Sequence, residues 1–166
     1  MEAITHNLIA VIIQILCFRY LLFPLNIIFT IFFAYLSHLF VDVLSKLTYH
    51  TPDVQKDDKF WVIWHVIIYS VSILSIVILI VPYWIGILFA NIIDIWDWFI
   101  LRPLQSKKAK SGNNPNWGQK WYLHKHADWI GETFFGWLPN WKYKYFGVII
   151  EVILIILLSI IIIIIL

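Results

Sequence analysis

The chain has 166 residues, of which 61% are hydrophobic, with a formal net charge of +2 and a mean hydropathy of +0.83. A soluble domain is usually about 45–50% apolar, so this composition is that of an integral membrane protein. The single cysteine, Cys17, excludes a disulfide framework and a thiolate zinc cluster. Any bound metal would therefore have His, Asp, Glu or Asn ligands.

Five apolar segments are long enough to cross a bilayer as helices, which requires about 17–25 residues. The first has no basic region before it and no small-residue cleavage site, so it is interpreted as a retained span and not as a signal peptide. Pro24 separates the first two segments, and Pro82 divides an apolar stretch that is too long for one span. The sequence predicts an all-α bundle of about five transmembrane helices forming one membrane domain over residues 1–166. The predicted spans are 7–22, 26–46, 60–81, 83–101 and 146–166.

A Lys- and Trp-rich loop is predicted over residues 104–145. Eight of the twelve Lys and Arg residues lie between Arg102 and Lys144, which predicts that this loop is cytoplasmic. Its Trp, Phe and His residues are interleaved from Trp121 to Trp141, as in one or two interfacial helices. No motif of a nucleic-acid-binding module accompanies the basic residues, so membrane lipid is the expected partner and nucleic acid is not.

Alternation of five spans from a cytoplasmic loop places the N-terminus in the cytoplasm and predicts a plasma (inner) membrane protein. The same alternation brings ionisable residues of all five segments to the cytoplasmic side. A carboxylate at the bilayer centre costs about 2.5–3.5 kcal/mol on insertion scales, so ionisable groups in a membrane helix indicate a functional site. The oligomeric state stays open.

Two helices carry polar residues at helical spacing. His38 and Asp42 are spaced i, i+4 and therefore share one helical face, and Asn91, Asp94 and Asp97 share a face less tightly. Helical bundles build metal sites from His and carboxylate side chains that project inward from facing helices. Such nitrogen and oxygen ligands suit a divalent metal, with zinc expected first and manganese or iron as alternatives.

Further candidates extend this set. His124 and His126 would point about 200° apart on a helix, so only one can easily enter the site. His126 is the expected ligand, His124 the expected proton carrier, and Glu151 a ligand or general base. Each of these residues also has a structural interpretation, as a buried ion pair, a solvated helix end beside Arg102, or an ordinary loop or interfacial histidine. The predicted metal ligands are His6, His38, Asp42, His50, Asp94, Asp97 and His126, and the predicted catalytic residues are Glu151 and His124.

Three short patterns resemble those of the inner-membrane metal-dependent hydrolase family. They are the N-terminal Thr5-His6 pair, an H-L-x-x-D-x-L helix over residues 38–44, and the acidic pair in residues 92–97. The resemblance covers about a third of the chain. The residues that it implies as metal ligands or their close partners are His6, His38, Asp42, Asp94 and Asp97.

The expected function is a membrane-embedded metal-dependent hydrolase that acts on a lipid or lipid-linked phosphoester at the inner leaflet. The reaction class follows from the resemblance and from the way divalent metals catalyse phosphoester displacement. Two non-enzymatic functions stay open. The polar cluster could bind an ion or protons, as in transporters, or could form a structural ion-pair network.

Overall fold

The computed structural model describes residues 2–49, 51, 55–110 and 118–166. Regular structure within these ranges is entirely helical, which confirms the all-α prediction. His50, a predicted metal ligand, lies outside the described residues. The α-helices are α1 (Ala3–Tyr20), α2 (Leu25–Val43), α3 (Lys59–Ala90), α4 (Ile92–Asp94), α5 (Arg102–Lys110), α6 (Lys125–Phe134) and α7 (Phe146–Ile165), with 3-10 helices at Leu44–Leu47 and Gln119–Trp121 and a π-helix at Ile95–Leu101.

Four helices in the described part of the chain are long and apolar enough to cross a membrane. The predicted segment 83–101 is not one of them, so the expectation of five spans is not confirmed. Its first residues belong to the end of α3, Asn91 interrupts the helix, and α4 and the π-helix follow. The four membrane-length helices are Ala3–Tyr20, Leu25–Leu47, Lys59–Ala90 and Phe146–Ile165.

The chain folds back on itself within α3. Tyr83, directly after Pro82, has the non-helical backbone angles φ −126° and ψ 29°. Asn7 of α1 donates to Ser75 and accepts from Asn91, each at 2.8 Å. A straight helix would separate those two partners by about 24 Å. The two halves of α3 therefore lie side by side, with the reversal at the proline that the sequence analysis identified as a break.

Gln14 of α1 bridges this reversal. Its amide nitrogen donates to the carbonyl of Pro82 at 3.2 Å, and its amide oxygen accepts from the backbone N–H of Gly86 at 2.7 Å. In an uninterrupted helix, Gly86 would donate to Pro82 directly, four residues earlier. The glutamine therefore satisfies both backbone groups that the break separates.

Small residues bring the first three helices close together. Ala10, Ala34 and Ala90 are fully buried against one another. A Cβ atom on Gly86 would lie 2.6 Å from the carbonyl oxygen of Ala10, so only glycine permits this approach. Small residues at such contacts are the usual basis of helix packing in membranes. The consequence is a central α1 that packs against α2, α3 and α7.

The segment that contains α6 is anchored to the end of α2. Lys46 donates to the carbonyl of Phe135 at 3.0 Å and to that of Gly131 at 3.5 Å, both at the C-terminal end of α6. A lysine there satisfies free carbonyls and is favoured by the helix dipole. Trp129 on α6 and Trp137 just beyond it remain exposed. The C-terminal end of α6 is thereby held against the end of α2.

Candidate metal centre

Five ionisable residues from four separate segments meet in the structure. α1 contributes His6, α2 contributes His38 and Asp42, α4 contributes Asp94, and the connection just before α6 contributes His124. His38 is completely buried and His6 is 2% exposed. Spacing predicted the shared face of His38 and Asp42, whereas the other contacts depend on packing between helices.

The carboxylate of Asp42 lies at the centre of this cluster. Its Oδ2 is 3.0 Å from Nε2 of His38 and 3.2 Å from Nε2 of His124, and its Oδ1 is 3.2 Å from Nε2 of His6. Three imidazoles from three segments therefore face one carboxylate through the same ring nitrogen.

Asp94 adds a second carboxylate. Its Oδ1 is 3.1 Å from Nε2 of His124 and 4.0 Å from Nε2 of His38. Two overlapping groups each have ligand atoms within 4.8 Å of one another, His6 with His38 and Asp42, and His38 with Asp94 and His124. Zinc bonds of about 2.0–2.2 Å place neighbouring ligands of a tetrahedral ion roughly 3.4 Å apart. The observed separations bracket that value.

Asp97 fixes the position of His124. The carboxylate accepts from Nδ1 of His124 at 2.7 Å and from its backbone N–H at 2.9 Å, and it also accepts the N–H of Leu123. Asp97 is completely buried. Metal-ligating histidines usually donate their other ring nitrogen to a carboxylate in this way, which sets the tautomer and the orientation of the ring. Nε2 of His124 is thereby directed towards Asp42 and Asp94.

The surrounding carboxylates determine the charge of His124. Burial lowers the pKa of this histidine, but its hydrogen bonds to Asp42, Asp94 and Asp97 outweigh burial and raise the pKa to about 11. The same carboxylates that favour a proton on Nε2 would favour a divalent cation, and a proton and a metal compete for that nitrogen. The site is therefore suited to positive charge.

Several buried nitrogen atoms of the cluster make no hydrogen bond within the described residues. They are Nε2 and Nδ1 of His38 and Nδ1 of His6. Nε2 of His38 is only 3.0 Å from Asp42, yet the two atoms lack hydrogen-bond geometry. An unsatisfied buried polar atom costs about 1–3 kcal/mol. Coordination of a shared ion is one arrangement that would satisfy the nitrogen of His38.

Two predicted site residues, His126 and Glu151, lie away from the cluster. His126 is exposed on α6, so the structure brings His124 to the cluster where His126 was expected. Glu151 is buried beside α1 and accepts a hydrogen bond from Thr5. Consecutive residues of a helix point about 100° apart, so Thr5 faces α7 while His6 faces α2. Asp97 is close to the cluster, but its hydrogen bonds go to Leu123 and His124.

Other polar residues of the apolar segments have structural partners. Nδ1 of His65 lies 2.7 Å from the carbonyl of Trp61, and the two rings stack. Asn91, which shares a predicted face with Asp94, directly follows α3 and donates a hydrogen bond to Asn7. Neither Asn7 nor Gln14 is among the residues predicted from the sequence, although a polar side chain within an apolar span was a usable signal for both.

Comparison of the chain with protein-family profiles, with curated protein sequences and with solved structures gives no match. The resemblance to inner-membrane metal-dependent hydrolases therefore remains an expectation based on three short patterns. The geometry of the cluster carries the functional argument.

Proposed function

We propose that this protein is a membrane-embedded, metal-dependent hydrolase that acts on a lipid or lipid-linked phosphoester at the cytoplasmic leaflet. The observation that carries the proposal is the convergence of three imidazole nitrogens and two carboxylates from four chain segments. Buried ionisable groups in a membrane protein are expensive and mark functional sites by default.

The proposed ligands of one divalent ion are His38, His124, Asp42 and Asp94. The four distances between an imidazole Nε2 and a carboxylate oxygen in this set run from 3.0 to 4.0 Å. His6 contacts the other oxygen of Asp42 and holds that carboxylate in place. Two imidazoles and two carboxylates suit zinc, and manganese or iron accept the same donor types.

The chemistry assigned to this site is the hydrolysis of a phosphoester. The oxygen of water bonds to phosphorus, the ester P–O bond breaks, and the proton of the water passes to the leaving oxygen. A divalent ion held by His38, His124, Asp42 and Asp94 would supply a Lewis acid for the phosphoryl oxygen and would lower the pKa of water. Asp94 would hold the ion through Oδ1, and its second oxygen, Oδ2, is the proposed carrier of that proton, because Asp94 at 29% exposure is more accessible than Asp42 at 13%.

The proposed topology places this site at the cytoplasmic surface of the inner membrane, with the N-terminus inside. The fold-back at Pro82 supports counting the two halves of α3 as separate crossings, with the second continuing through α4 and the π-helix. The basic excess between Arg102 and Lys144 supports the cytoplasmic side. The exposed Trp129 suits the membrane interface.

A structural ion-pair network is the second candidate. Its supporting observation is that a protonated His124 already faces three carboxylates, those of Asp42, Asp94 and Asp97. Such a network would hold α2, α4 and the segment before α6 together without any metal. Breaking a buried ion pair is strongly destabilising in either case, so stability alone does not separate the two functions.

Metal analysis separates them. Protein purified in detergent without chelator should contain close to one transition-metal ion per chain, because the cluster offers one set of four ligands. His38→Ala should remove this metal, while His126→Ala, which changes an exposed histidine of the same chain, should retain it. Hydrolysis of diacylglycerol phosphate in mixed micelles then tests the activity. Protein with only traces of metal in all three forms would establish the structural network instead.

A further inference from the structure

An apolar groove of about 560 Å³ lies beside the His and Asp cluster. Ligand pockets typically have volumes of about 300–1,000 Å³, so the groove is large enough for part of a lipid. Its walls come from α2, from the segment that ends α3 and continues past Asn91, and from the connection before α6. The lining residues are Ile28, Ile31, Phe32, Tyr35, Phe89, Ile92, Trp96 and Leu123.

The groove and the four proposed metal ligands come from the same three segments. Tyr35 precedes His38 by one helical turn on α2, and Leu123 directly precedes His124. The backbone N–H of Leu123 is held by Asp97, so the lining and the cluster are joined by hydrogen bonds. One end of the groove therefore lies one helical turn from His38 and one residue from His124.

The other end of the groove lies towards the N-terminal end of α2. Along α2 the lining runs from Ile28 to Tyr35, seven residues or about 10 Å, and it approaches the cluster in that direction. The opposite wall runs from Phe89 to Trp96 and approaches the cluster in the same direction. A polar, cation-favouring end thus meets a linear apolar channel. With a divalent ion held by the cluster, this combination would match an amphiphile with an anionic head and one hydrocarbon chain.

We propose that the groove binds a single hydrocarbon chain of a lipid phosphoester whose phosphate lies at the His and Asp cluster. The inference rests on the proposed function and adds a chain-length preference to it. Bulk lipid would also cover an apolar surface, but it would show no coupling between tail length and binding of the head group. The test must therefore measure that coupling.

The first measurement uses the cobalt-substituted protein and a series of phosphates. Inorganic, butyl, octyl and dodecyl phosphate are titrated while the visible absorption of cobalt is followed. Each methylene buried in the groove should tighten binding by up to about fourfold until the groove is full. Micelles also absorb alkyl chains, so the comparison between matched variants decides the result.

Ile28→Trp fills the end of the groove that lies farthest from the cluster, and Ile73→Trp adds the same bulk to an exposed face of α3. Ile28 is 54% exposed and Ile73 is 63% exposed, so the two changes are closely matched. The ratio of dodecyl to inorganic phosphate affinity should fall at least tenfold in Ile28→Trp and stay unchanged in Ile73→Trp. Equal ratios in the two variants would overturn the groove as the chain site.

The second measurement does not depend on metal. Dodecyl phosphate with a photoreactive diazirine at the end of its tail is cross-linked to the protein, and labelled peptides are mapped. Labels concentrated in residues 25–36 and 84–99 support the proposal, and labels spread equally over α7 overturn it. A cobalt spectrum that does not respond to inorganic phosphate would refute both the proposed function and the placing of the phosphate at the cluster. This holds for any labelling pattern.

Discussion

Replacement of Asp97 by asparagine tests whether the cluster depends on a positioned His124. Asp97 is completely buried and accepts from Nδ1 and the backbone N–H of His124 and from the N–H of Leu123. Asparagine keeps the shape but has only one acceptor oxygen and no charge. Its NH₂ group would face at least one of these donors.

The expected magnitude follows from those contacts. A hydrogen bond to a charged group contributes about 1.5–3 kcal/mol, and an unsatisfied buried donor costs about 1–3 kcal/mol. We expect Asp97→Asn to lower the free energy of unfolding by roughly 3 kcal/mol. Metal affinity should fall by about 10- to 100-fold, as is usual when the carboxylate behind a metal-ligating histidine is lost.

Competition with a chromophoric chelator measures the metal affinity, and unfolding in mixed micelles of increasing SDS content measures the stability. Asp128→Asn is the matched control, because Asp128 is exposed on α6 and should change neither quantity. The reasoning is refuted if Asp97→Asn binds metal as tightly as the Asp128→Asn control while unfolding at lower SDS content. Asp97 would then stabilise the fold without positioning a ligand.

Three further expectations concern the fold-back, the neighbouring buried acid and pH. Gln14→Leu should lower the free energy of unfolding by about 1–3 kcal/mol, because the carbonyl of Pro82 and the N–H of Gly86 each lose a hydrogen-bond partner. SDS unfolding measures this change. Glu151→Gln should retain all bound metal, as measured by elemental analysis. Loss of the metal in this variant would place Glu151 in the site. In chelator-treated protein, His124 has a folded-state pKa of about 11, above its ordinary 6.5. The protonated His124 therefore contributes fully to stability below pH 6.5, and this contribution is lost as pH rises through 11. SDS unfolding at several pH values measures it. A free energy of unfolding that rises between pH 6.5 and 11 would contradict a protonated His124.

Some features of this protein are determined by sequence because they depend on local physics. Apolar composition and segment length determine helices that are long and apolar enough to cross a membrane, where every backbone group must be satisfied within the chain. The i, i+4 spacing predicted that His38 and Asp42 share a face, and their side chains lie 3.0 Å apart. Pro82 predicted the break in the longest apolar stretch.

Tertiary structure alone decided which polar residues meet. His6 and Glu151 are both ionisable and buried, yet the rotation of α1 turns His6 towards Asp42 and places Thr5 against Glu151. His124 entered the cluster in place of His126 because Asp97 holds its backbone and ring. Spacing along one helix carries no information about that rotation. It is set by the close contact between helices at small residues such as Ala10 and Gly86, where a single added methyl group would force the helices apart.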